Sequence, residues 1–92
     1  SKATFGMYQG TNKKVRIQIA NYMCGVFIDR FGKNIAFKRI DDEHSELCVD
    51  VNVSPQFFGW ILSFGDNVKI LSPERVQTAY IDLAKQGLAQ YK

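Results

Sequence analysis

At 92 residues, with a net charge of +3, the chain has room for one domain with one modest core. The slight basic excess permits an anionic partner without arguing for one, and no apolar run approaches the ~18 residues that a membrane span needs. The two cysteines, Cys24 and Cys48, stand far apart and outside any ligand spacing, which fits a reduced, cytoplasmic protein.

"SKATFGMYQG" begins abruptly and reads as the tail of a linker from a longer chain. After the polar break "TNKK", the segment "KVRIQIA" alternates strictly, with Val15, Ile17 and Ile19 on one face and Arg16 and Gln18 on the other. That is a half-buried strand, expected over 14–20. Asn21 is placed to cap a helix "YMCGVFIDRF", in which Phe27 and Phe31 recur at i and i+4, and Gly32 stops it. "NIAFKRI" predicts a second strand over 34–40, and "DDEHSE" a polar hairpin loop. In "ELCVDVNV", Leu47, Val49, Val51 and Val53 alternate with Cys48, Asp50 and Asn52, the clearest strand in the chain, over 46–53.

"SPQFFGWILSFG" then opens a helix. Ser54 caps it, Pro55 takes the first position, and Val53 and Phe58 hold the two places of a hydrophobic staple. Gly65 ends it, and "NVKIL" predicts a strand over 67–71. "SPERV" repeats the start signal, with Ser72 as cap and Leu71 stapling to Val76. A last helix runs towards Tyr91 with Val76, Tyr80, Leu83 and Ala84 along one side. Two interleaved strand–helix–strand units with right-handed crossovers give an α+β, ferredoxin-like βαββαβ sandwich. Its four-stranded antiparallel sheet carries the helices on one face, and a C-terminal helix is added.

Enzyme signatures are absent: there is no phosphate loop, nucleophile elbow or paired-histidine metal motif. Asp41, Asp42, Glu43 and His44 offer cation ligands, but adjacent loop residues without a glycine turn read better as a solvated hairpin. Neither cysteine has a basic or histidine neighbour to lower its thiol pKa. No catalytic residue, metal or cofactor is expected.

The open face of the sheet should show Arg16, Gln18, Lys38, Cys48, Asp50, Asn52 and Lys69. No aromatic lies on that side of the central strands, so stacking on RNA bases is not expected. Arg16, Lys38 and Lys69 are the candidate ligand residues, able to neutralise an anionic or nucleic-acid effector; the alternative is a solvated face with Arg16 paired to Asp50. In the opening helix, Trp60, Phe64, Phe57 and Ile61 fill an arc of roughly 100°, a normal sheet-facing stripe, and Phe58 and Leu62 widen it to roughly 200°. Phe57, Ile61 and Phe64 are assigned to the core. Phe58 and Leu62 either meet another helix of the same domain or stay partly exposed as the edge of an assembly surface.

"FGMYQG", "IDRFGKNI", "VNVSPQFFGWILSFGDNVKILSPERV" and the terminal "QYK" resemble the C-terminal extension, WCX, of bacterial WYL-domain transcription regulators. Its most distinctive part is "FFGWILSFG" followed by "VKILSPERV". The resemblance implies that residues 1–12 are a linker from a preceding WYL domain and residues 13–92 a WCX-like regulatory domain. It further implies a non-enzymatic role in dimerisation and effector response. The partners would be the WYL and winged-helix domains of its own chain, a second protomer, and DNA read through the winged helix. An ACT-like ligand-binding module shares the element order, but such modules bind at a glycine-containing helix–strand loop, and here the glycine of "NYMCG" falls inside the first helix. An acylphosphatase-like enzyme would need an arginine in "IANYMCG", which has none.

Overall fold

Alternation sets the two central strands of the computed structural model, which describes residues 12–91. Strand β1 (Asn12–Ala20) buries Val15, Ile17 and Ile19 completely and turns Lys14 and Arg16 to solvent. Strand β3 (His44–Asn52) buries Leu47, Val49 and Val51 and turns Cys48 and Asp50 to solvent. The two pair antiparallel along their whole length, from Asn12 opposite Asn52 to Ala20 opposite His44. Strand β4 (Val68–Ser72) pairs with the other side of β1, and the short β2 (Lys38–Arg39) pairs with β3. The sheet order β2-β3-β1-β4, antiparallel throughout, is that of the expected split βαβ fold. Helices α1 (Cys24–Phe31), α2 (Pro55–Leu62) and α3 (Glu74–Ala89) join the inward residues of the sheet in one apolar cluster. Among the described residues no helix covers the other face of the sheet.

The start of α2 follows its sequence. Ser54 Oγ accepts from the Phe57 N–H at 3.2 Å, Pro55 is the first helical residue, and Val53 and Phe58 are both buried. The second Ser-Pro differs. Ser72 is the last residue of β4 and its hydroxyl accepts from Arg16 Nε at 3.5 Å, so Pro73 takes the cap position and α3 opens at Glu74. Asn21 does not cap α1 either. A 3-10 turn, Asn21–Met23, delays the α-helix to Cys24. The Asn21 amide instead ties down the hairpin loop, donating to Asp42 O at 2.9 Å and accepting from Ser45 Oγ at 2.6 Å.

Gly32 stops α1 at φ +98°, a conformation that L side chains rarely adopt. Helix α2 ends at Leu62, short of Gly65, where the Ser63 hydroxyl donates to Trp60 O at 2.6 Å. The strand expected over 34–40 is paired only at Lys38 and Arg39; Ile35 and Phe37 still rest against the core, but the chain leaving Gly32 has not yet joined β3. Among the described residues no helix is long and apolar enough to cross a membrane.

Candidate functional site

The three candidate cations share the open face. Register sets a row across the sheet: Lys38 opposite Glu46, Glu46 opposite Gln18, Gln18 opposite Lys69. Arg16 sits beside this row and directs Nη1 to the Glu46 carboxylate at 3.1 Å. The pairing of Arg16 with Asp50 does not form. Asp50 faces Lys14 across the ladder and pairs with it at 3.6 Å, whereas Arg16 faces Cys48 and has the length to reach the diagonal neighbour. Lys38 and Lys69 make no ion pair among the described residues. The two central strands carry no phenylalanine, tyrosine or tryptophan on this face; His44, at the end of β3, is held by Asp41.

The aromatic excess of α2 divides between two neighbours. Trp60 packs against α1, with ring centroids 5.0 Å from Phe27 and 5.8 Å from Phe31, and meets Phe64 at 5.0 Å. The Arg30 guanidinium lies 4.8 Å above the indole. Phe57 and Ile61 are buried, as assigned, and Phe64 is half-buried against the core. Phe58 is not an exposed edge: it is 1% exposed, with its ring edge-on to Tyr80 of α3 at 5.6 Å. The return of α3 over α2 supplies this cover, and burial pushes the Tyr80 phenol up. Leu62, one turn later, is 53% exposed.

Beyond Phe58 the two helices diverge around a groove of about 460 Å³. Its more buried lining includes Phe58, Leu83 and Ala84, and its exposed lining includes Leu62, Leu88 and Tyr91. Leu88 and Tyr91 are 72% and 75% exposed, and no charged residue lines it. Sequence reading followed the α3 stripe only as far as Ala84; the signal continues, since 84, 87, 88 and 91 keep the helical spacing.

The hairpin loop is closed on itself. Asp41 Oδ1 accepts from the N–H groups of Glu43 and His44, both at 2.8 Å, and His44 Nδ1 stands at 3.0 Å. The Glu43 N–H, then the His44 side chain, hold the Asp41 carboxyl below the ordinary aspartate value. Asp42 pairs with Arg39 at 3.1 Å. No group of three or more metal-ligating side chains occurs among the described residues. Cys24 is half-buried and Cys48 lies on the open face.

A family model of the WCX domain matches residues 11–88. The chain belongs to the WCX domain family. No curated protein and no solved structure gave a match. The match takes in the whole sheet and α1 to α3 as far as Leu88, so the open face and almost all of the groove are parts of the WCX domain itself. "FGMYQG", the expected linker, lies outside both the match and the described residues.

Proposed function

We propose that this WCX domain is a non-enzymatic regulatory and assembly module of a bacterial WYL-type transcription regulator. In this reading the α2–α3 groove docks a second protomer or the WYL domain of its own chain, and effector binding shifts the balance between two such arrangements. The observation that carries it is the uncharged groove, whose exposed lining of Leu62, Leu88 and Tyr91 is more apolar than a surface helix pair requires. The non-enzymatic part is supported by membership of the WCX family and by the two free cysteines lying in different settings, Cys24 half-buried and Cys48 exposed.

The test is sedimentation of the full-length regulator carrying Leu62→Ser and Leu88→Ser, beside thermal melting of the 92-residue chain. The expected result is weakened association with a melting temperature close to the parent. Unchanged association would remove the groove from the reading.

A second reading has its own support. Lys38 and Lys69 stand exposed and without an ion pair among the described residues, on the same face as Arg16. That arrangement suits an anionic effector held against the open face.

A further inference from the structure

We draw no further inference here: the strongest candidate, the cleft that Tyr22, Asp42, Glu43, His44 and Asp66 line beside the hairpin loop at the end of the sheet, is an acidic cluster at which no second feature of the described residues points to a ligand.

Discussion

Phe58 and Leu62 are one turn apart on the same helix face, yet they carry different physics. Phe58 is sealed between Phe57 and Tyr80, so its truncation removes core contacts and leaves a void. Phe58→Ala should cost about 3–5 kcal/mol, lowering the melting temperature by at least about 12 °C for a domain of this size. Leu62→Ser touches a half-exposed side chain and should stay within about 0.5 kcal/mol of the parent. Thermal melting of the two variants side by side checks this, and similar melting points would mean that α3 does not cover Phe58 in solution. Asp41 gives a residue-scale pH dependence. Its carboxyl titrates below the ordinary aspartate value because the Glu43 N–H, then the His44 side chain, bond the charged form. The turn is therefore fully supported above the ordinary aspartate range, and that support is lost as pH falls through the lowered folded value. The Glu43 and His44 amide shifts should move together in that acid window, and Asp41→Asn should abolish the joint transition.

At the scale of elements, Gly59 is the informative position. It sits in the interior of α2, is exposed, and an added Cβ there would meet no atom within 4 Å. Gly59→Ala should stabilise the chain by roughly 0.5–1 kcal/mol through reduced backbone freedom of the unfolded state. The added methyl group should also narrow the groove that Gly59 lines. A higher denaturant midpoint with weaker association of the full-length regulator is the expected pair of results; a stability gain alone would place the groove outside the interface. The elements themselves were legible where one local contrast decides them. Val15, Ile17 and Ile19 against Lys14, Arg16 and Gln18 can satisfy a half-buried strand and little else, and Ser54-Pro55 followed by the staple partner Phe58 marks a helix start, whereas Ser72-Pro73 shows that the dipeptide alone does not fix the cap. Legibility failed where a distant segment decides. Nothing beside Phe58 in sequence says that Tyr80 returns over it. Ile35 and Phe37 alternate as a strand does, but the turn at Gly32 brings the chain to β3 only at Lys38. Among the candidate site residues, the shared face of Arg16, Lys38 and Lys69 followed from parity alone. The Glu46 partner did not, because a diagonal contact depends on side-chain reach as well as on register.

For the molecule as a whole, the sheet separates two environments, with three helices packed on one face and charge laid out on the other. Among the described residues the open face presents Lys14, Arg16, Lys38 and Lys69 against Glu46 and Asp50, so it contributes to the chain's net positive charge. Asp50 holds Lys14 and Glu46 holds Arg16, which leaves Lys38 and Lys69 as the cations with no carboxylate within ion-pair distance among the described residues. An anion approaching this face must therefore compete with Glu46 for Arg16. That competition separates a ligand surface from a merely solvated one. With a single-stranded oligodeoxynucleotide as the polyanionic probe, Glu46→Gln should raise affinity by releasing Arg16. Changing Arg16, Lys38 and Lys69 together to alanine should lower it. Because each single-strand phosphate contact contributes about 0.7 to the salt slope, losing three should make log K against log salt shallower by about 2. Both effects should shrink as salt rises, since the charges are exposed and screened. All of these side chains project from the outer face, so the melting temperature should change little in either variant. If both variants bind the oligonucleotide as the parent does, with the same salt slope, the row of cations is solvated surface and the anion-binding reading of this face falls.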